Sequence, residues 1–542
     1  MKNHTGQLPL VTSISVAAEP PSLQDNTADI DRLRMAVAKE LATGLQNRPL
    51  VVPLAVMAEL GRRLRAAEFV GYAIVNVLPH ELQLVDFSAK KPAVIPCMAL
   101  DLGTTHLEAT LVDCTTGTTI AHAHTPNEQM RFGADILSRI HHAGRNDGDG
   151  LLELQQAVTA SINHLVVELA EEGRTKPEFI RALCVSGNTT MVHLLLGLSP
   201  YHICREPYTP LVGWPDPFFA AEIGIRLSRS APVWVLPNIG SYFGGDLISG
   251  ILASGLDKME KTSMLIDVGT NAEVVLGNKD WLIACAGAAG PALEGGVARM
   301  GMRAGPGAIE HVRLDRHSWQ LEITTIDDQP AVGICGSGLI ELVAQLFLAG
   351  IIDIRGKLCR DVHSGSPARR EFIRSRLVTA EEGFRFVVVP DDQSGQGEPV
   401  VLAQVDLDAM MRSKAAMYAI LTTLTSQVGV EFSDLDHIYV AGAFGKHIDP
   451  VAAITLGMLP DLPLSTYVPL GNSSLHGAEL LLVSEEARLR SLEIGRKITY
   501  IELNVNQEFM LRFSASRFIP HTDPGLFPSV SIYQRDKSAQ KG

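Results

Sequence analysis

The stretch Ala99–Thr105 reads AlaLeuAspLeuGlyThrThr, and Leu265–Asn271 reads LeuIleAspValGlyThrAsn. In each, an apolar run enters a glycine turn with an acid at its mouth. A second apolar run follows, LeuGluAlaThrLeuValAsp in the first copy and AlaGluValValLeu in the second. Run, tight turn and run form the pattern of a β-hairpin. Gly103 and Gly269 let the backbone fold back closely enough for turn N–H groups to hold phosphate oxygens, with Thr104, Thr105, Thr270 and Asn271 adding side-chain donors. Asp101 and Asp267 are then the candidate Mg²⁺ ligands, acting through water, because Mg²⁺ keeps several waters and takes few protein carboxylates. One Asp-x-Gly-Thr occurs in many ordinary turns. Two copies in one chain carry the argument.

A phosphate clamp built twice calls for an acid between the hairpins and a glycine-rich loop for adenosine after the second. SerTyrPheGlyGlyAspLeuIleSerGly (Ser241–Gly250) puts Asp246 at the mouth of a helix, where it caps the helix or orients a water against the γ-phosphate, a role open also to Asp101; Asp101, Asp246 and Asp267 are the candidate catalytic acids. HisIleTyrValAlaGlyAlaPheGly (His437–Gly445) is a short β run ending in Gly442 and Gly445, whose missing side chains leave room for a nucleoside. Small residues open a helix within Gly471–Leu482, suited to close packing at a hinge. Gly336, Ser337 and Gly338 bring a further helix N-terminus toward ribose or phosphate. Glu341, one turn further in, is a candidate for the ribose hydroxyls. Asn188 and Thr189 arrive at another helix start, either facing the cleft or capping the helix.

This order of parts resembles the actin, sugar-kinase and heat-shock-chaperone ATPases. The resemblance sharpens at AsnThrThrMetValHisLeuLeuLeuGly (Asn188–Gly197), AlaGlyProAlaLeuGluGlyGly (Ala289–Gly296), GlyMetArgAlaGlyProGlyAlaIleGlu (Gly301–Glu310), GlyIleCysGlySerGlyLeuIleGlu (Gly333–Glu341) and ArgSerLysAlaAlaMetTyr (Arg412–Tyr418), which are similar to the reductive activators of corrinoid proteins. It implies an α/β protein with two RNase H-like halves around a nucleotide cleft, preceded by a small α/β middle domain. It also implies an ATPase that uses ATP and Mg²⁺ to drive one electron onto the cobalt of a corrinoid protein in a methyltransferase system. The alternatives are a small-molecule kinase of the same superfamily and a nucleotide-gated binding protein or chaperone.

Family members usually carry a ferredoxin-like domain or cluster-binding cysteines. Plant-type [2Fe–2S] ligation needs C-x₄-C-x₂-C and a distant fourth cysteine. The cysteines here are Cys97, Cys114, Cys184, Cys204, Cys285, Cys335 and Cys359, none spaced to form such a loop. The chain begins where the family's linker would begin, so no iron–sulfur cluster is expected in it, and a separate ferredoxin-like donor is. A second reading places Cys285 and Cys335 near a cluster shared between two subunits; against it, free cysteine is ordinarily a small buried hydrophobe. The Ala284–Gly296 loop reads either as a partner surface or as a buried turn, and Gly287 stands where relatives often have a hydroxyl residue.

At 542 residues, with 46% hydrophobic and 20% charged residues, the chain is long enough for two or three domains and a large core. A formal charge of −14 disfavours nucleic acid as a partner. No apolar run reaches a membrane span, no export signal opens the chain, and the cysteines are odd in number and scattered. A cytoplasmic protein is expected, and a homodimer is compatible with the sequence. The expected divisions are a flexible segment over 1–28, the small α/β domain over 29–92, ATPase halves over 93–240 and 241–483, and a C-terminal extension over 484–542.

Overall fold

Ile14 and Val16 are buried while Ser15 is exposed, an alternation that makes Val11–Ala17 a strand, β1. The computed structural model describes residues 8–41, 45–145, 148–241, 243–269, 271–287, 300–359, 365–380, 383–503 and 506–531. It divides into two compact units, one running to Ala253 and including Ser473–Lys497, the other holding Ser254–Asn472 and the residues from Ile498 onward.

In the first unit, β1 is followed by α1 (Asp29–Glu40), β2 (Leu50–Val51), α2 (Leu54–Ala66), β3 (Val70–Val77) and β4 (Leu82–Ser88). These strands form a four-stranded sheet in the order β1-β3-β4-β2. Of the flexible segment expected over 1–28, residues 1–7 lie outside the described residues, and Val11–Ala17 is instead a strand: β1 pairs antiparallel with β3 along its whole length, from Val11↔Asn76 to Ala17↔Val70. Its short apolar–polar alternation, within a polar stretch, is what the composition hid.

Next come β5 (Pro96–Leu102), β6 (His106–Asp113), β7 (Thr118–Pro126), α3 (Ile136–Ala143), α4 (Asp149–Glu172), β8 (Leu183–Gly187), α5 (Thr189–Leu195), β9 (Phe218–Phe219), β10 (Pro232–Val235) and α6 (Gly245–Ser254). The sheet order is β7-β6-β5-β8-β10-β9. One face is apolar: Leu100, Leu102, Leu107, Leu111, Leu183 and Val185 pack with Leu154, Val158 and Leu165 of α4. The other face, by the two-residue period of a strand, carries Asp101, Glu108, Thr110, Cys184 and Ser186.

The second unit begins with β11 (Ser263–Val268), β12 (Ala272–Gly277) and β13 (Leu282–Gly287), then β14 (Ala308–Asp315), β15 (Gln320–Thr325), β16 (Gly333–Ile334), α7 (Gly336–Leu348), α8 (Pro367–Arg376), β17 (Leu377–Ala380), β18 (Gly383–Val389), β19 (Val400–Ala403), α9 (Gln404–Gln427), β20 (Ile438–Ala441), α10 (Gly442–His447), α11 (Pro450–Leu456) and β21 (Tyr467–Gly471). The chain returns to the first unit as α12 (Ser473–Val483) and α13 (Glu485–Lys497), then finishes in the second with β22 (Ile498–Tyr500) and α14 (Gln507–Ala515). The main sheet runs β21-β20-β11-β12-β13-β22, with three-stranded sheets β15-β14-β16 and β17-β18-β19 beside it in the same unit. Among the described residues no helix is long and apolar enough to cross a membrane.

The expected division at 240 differs from the observed one. Both α6 and α12 pack in the first unit, where a Cβ on Gly477 of α12 would meet Ser249 Cβ of α6 at 2.3 Å. Two helices that touch this closely belong to one body, although the sequence between them builds another.

Candidate nucleotide site

In the first unit the predicted hairpin is β5 and β6, antiparallel with Asp101 opposite Glu108. A Cβ at Gly103 would lie 2.3 Å from the His106 carbonyl oxygen, so only glycine lets the turn close this tightly. Asn127 braces it: its amide Nδ2 donates to the Gly103 carbonyl at 2.9 Å, and its backbone N–H donates to the Thr105 carbonyl at 2.8 Å. Asn188 caps its helix and reaches the first hairpin. Its oxygen accepts from the Met191 N–H at 2.9 Å, capping α5, while its Nδ2 lies 3.2 Å from Thr104 Oγ1. Thr189, buried, donates its hydroxyl to the Gly240 carbonyl.

The Asp101 carboxylate accepts from Ser474 Oγ at 2.6 Å. Behind it, Ser186 Oγ lies 2.8 Å from Ser474 Oγ and 2.9 Å from Ser249 Oγ. Asp246 sits in the first turn of α6, half-buried. Gly244 just before it has no room for a side chain, since a Cβ would fall 2.3 Å from Asn188 Cα and 2.7 Å from Asp246 Oδ1. Within this one unit Ser474 supports Asp101, Asn188 reaches Thr104, and the bare Gly244 lies between Asn188 and Asp246.

In the second unit β11 and β12 form the other hairpin, with Asp267 opposite Glu273. The Gly269 N–H donates to the Asn271 carbonyl at 2.9 Å, closing the turn. Gly442 lies beside it: its φ is +72°, and a Cβ there would lie 2.9 Å from Asp267 Oδ1. The second hairpin and the glycine at the end of β20 therefore meet at the Asp267 carboxylate. Thr270 lies outside the described residues.

Glu108, opposite Asp101, is already paired, its carboxylate 2.6 Å from His122 Nε2, and among the described residues no three His, Cys, Asp or Glu side chains are grouped to hold a metal ion. A phosphate-bound Mg²⁺ that keeps most of its waters needs few carboxylates, and each hairpin has one aspartate at its mouth, Asp101 or Asp267. Each also has a glycine turn whose backbone N–H groups can face anions.

Elsewhere the structure gives predicted residues other work. Gly445 is needed because a Cβ would lie 2.1 Å from the Val440 carbonyl oxygen; its small size serves the packing of α10 on β20. Gly338 similarly accommodates the Ile309 carbonyl at 2.2 Å, and the Ser337 hydroxyl donates to the Glu310 carbonyl at 3.0 Å. At the start of α7 it is thus the backbone from Gly336 onward, rather than the Ser337 hydroxyl, that remains for a ligand. Glu341 is occupied by β14, accepting from the Val312 N–H at 2.8 Å and pairing with His311 Nδ1 at 3.0 Å. That hydrogen bond, against some desolvation, raises the His311 pKa. Cys285 is buried, and burial pushes its thiol up; Cys335 is also buried, with Sγ 3.2 Å from the Ile309 carbonyl. A side chain at Gly287 would press on Ile420 of α9, 2.7 Å from its Cδ1. The rest of the proposed partner loop, residues 288–296, lies outside the described residues, and with it the motif Ala289–Gly296.

Asn127, Ser186, Ser249 and Ser474 were missed by sequence reading. Asn127 follows β7 and Ser186 precedes Asn188, but neither position stands out without the sheet that aligns them.

Two sheets that share five strands in one order, each with an Asp-x-Gly-Thr hairpin at its centre and a sixth strand added at opposite ends, define an ASKHA-type ATPase fold. The C-terminal domain of RACo, the ASKHA domain, matches residues 261–531, the RACo middle region matches 97–259, and the RACo linker region matches 3–90. The small α/β domain expected over 29–92 as a middle domain overlaps the linker match, and the RACo middle region lies after it. The chain is 30% identical to the corrinoid activation enzyme RamQ of Eubacterium limosum over 81% of this chain and 73% of that protein. It is 25% identical to the [Co(II) methylated amine-specific corrinoid protein] reductase of Methanosarcina barkeri over 74% of this chain and 72% of that one. A solved reductive activator for corrinoid, iron–sulfur protein superposes with a TM-score of 0.86 at 37% identity, covering 98% of this chain and 82% of that chain. The chain belongs to the RACo family, the reductive activators of corrinoid proteins.

Proposed function

We propose that this chain is an ATP-dependent activase that returns a corrinoid protein of a methyltransferase system from Co(II) to Co(I). The observation that carries the reading is the likeness to a solved corrinoid activator along 98% of the chain. The repeated hairpins support the ATP part. Mg²⁺ would neutralise charge on the transferring phosphoryl group, held through water by Asp101 and Asp267. The turn N–H groups around Gly103 and Gly269, with Thr104, Thr105, Thr270 and Asn271, bind and orient phosphate oxygens. Asp246, at the start of α6, orients the attacking water. Gly442 and the α7 start at Gly336 hold the nucleoside.

The redox step is a one-electron transfer: Co(II) gains the electron and an iron–sulfur donor loses it. We assign that donor to a separate ferredoxin-like protein, because the cysteines of this sequence have no cluster-binding spacing. All seven are free thiols, as suits a reducing cytoplasm. The energy scale is adequate. Shifting a one-electron potential by roughly 240 mV takes about 5–6 kcal/mol, and moving a two-state equilibrium from 1:99 to 99:1 takes roughly 5.5 kcal/mol.

The test is the cobalt spectrum of a Co(II) corrinoid protein mixed with this chain, MgATP and a low-potential reductant, with Asp267→Ala as control. Co(I) that forms only with ATP and intact Asp267 is the expected result. An unchanged spectrum with ATP hydrolysis intact would move the function to a kinase or a nucleotide-gated binding protein.

A further inference from the structure

Three buried hydroxyls run in a line to the Asp101 carboxylate, and the chemistry fixes their direction. An ionised carboxylate only accepts, so Ser474 must give its proton to Asp101 at 2.6 Å. Ser474 then accepts from Ser186 at 2.8 Å, and Ser186 accepts from Ser249 at 2.9 Å. Ser186 and Ser249 are fully buried and Ser474 is 7% exposed. A hydroxyl chain with one polarity strengthens its terminal bond, and burial keeps competing water away.

The four residues come from four elements: Ser249 from α6, Ser186 from β8, Ser474 from α12 and Asp101 from β5. The contact of Gly477 with Ser249 holds α12 against α6 at that level. Ser186 is the strand partner of Asp101, whereas the corresponding partner of Asp267 is Ala441, which carries no hydroxyl.

We propose that Ser474 is a positioning residue that fixes the Asp101 carboxylate for Mg²⁺–nucleotide binding, with Ser186 and Ser249 aligning it. The proposal rests on the nucleotide reading above. Its test measures binding of a fluorescent ADP analogue to the whole chain, with Mg²⁺ and with EDTA, beside the thermal unfolding midpoint. In Ser474→Ala the tightening produced by Mg²⁺ falls about tenfold while metal-free affinity is unchanged. Ser474→Thr, which keeps the hydroxyl, restores it. Ser186→Ala weakens the same quantity by a smaller factor. Full Mg²⁺ tightening in Ser474→Ala overturns the proposal, as does an equal loss with and without Mg²⁺ that threonine does not rescue. A native chain whose ADP binding ignores Mg²⁺ overturns the nucleotide reading itself, and this proposal with it.

Discussion

The two six-stranded sheets are built alike and finished differently. In both, a hairpin strand and two further strands run antiparallel, then two parallel strands follow on the other side: β7-β6-β5-β8-β10 in the first, β13-β12-β11-β20-β21 in the second. In both, the hairpin aspartate faces a glutamate across the turn, Asp101↔Glu108 and Asp267↔Glu273. The supports diverge. Asp101 receives a hydroxyl from Ser474, whereas Asp267 has Gly442 at its side, a residue with no side chain and a left-handed backbone. A shared topology places two carboxylates alike; the residues beside them, a serine hydroxyl in one unit and a bare glycine in the other, differ.

The largest effect expected is the loss of charge at either mouth. Asp101→Asn keeps an oxygen to accept from Ser474 and removes the negative charge; Asp267→Asn does the same in the second unit. Each should lower ATP hydrolysis by about a hundredfold or more while leaving the fold intact. Steady-state phosphate release beside a thermal unfolding curve checks both. If one variant keeps native turnover, the two hairpins are alike in shape alone.

The next comparison sets the glycines against each other. Gly442→Ala puts a Cβ 2.9 Å from Asp267 Oδ1 in a left-handed conformation, at a cost of about 1–2 kcal/mol for the backbone alone. It should also raise the nucleotide KM, because the carboxylate must shift. Gly477→Ala puts a Cβ 2.3 Å from Ser249 Cβ and 2.5 Å from its Cα, an overpacking worth about 1–3 kcal/mol of stability. Denaturant unfolding measures both. A Gly477→Ala protein as stable as the native one would mean that α6 and α12 are not held as closely as described.

How much of this was legible follows the same division. The hairpins were readable because each carries its whole signature in consecutive residues, and Asp101, Gly103, Asp267 and Gly269 could be named from the pattern. The strand β1 was not, since a short alternation in a polar segment looks like a tail until β3 is beside it. Gly445 was read as space for a nucleoside, but a sequence cannot say whether a missing side chain makes room for a nucleoside or for the chain's own carbonyl. The serine chain was invisible for the opposite reason: Ser186, Ser249 and Ser474 are far apart in sequence, and serine is too common to stand out alone.

A third expectation concerns a charge inside the second unit. Lys414 of α9 is fully buried and its ammonium nitrogen donates to the carbonyls of Phe518 at 2.5 Å and Pro520 at 2.6 Å. Burial holds its pKa well below the usual lysine value. The unfolded chain therefore binds a proton that the folded chain resists, over the window from the depressed folded pKa up to the ordinary 10.5. Stability must rise with pH across that window and fall on acidification. Lys414→Met should flatten this slope in urea unfolding at several pH values. It also orphans two carbonyls, at a cost of about 1–3 kcal/mol each way the packing fails to relax. An unchanged slope would show that another group titrates there.

The smallest effect lies at the residue that the sequence offered to ribose. Glu341 is held by β14 through the Val312 N–H and His311, and its bond to His311 raises that histidine's pKa above 6.5. A histidine whose folded pKa is raised contributes stability that is complete below the unfolded value and lost as pH rises through the folded one. His311 is 56% exposed at its side chain, so solvent screens the pair and the contribution to stability is small. The sharper reading is the titration itself. Glu341→Gln keeps an oxygen for the Val312 N–H and removes the charge facing His311, so the histidine resonance should titrate at lower pH than in the native chain while nucleotide affinity stays the same. A loss of nucleotide affinity in this variant, with the histidine titration unmoved, would return Glu341 to the ligand. It would also make the second unit the one that holds its nucleotide through an acid on a helix.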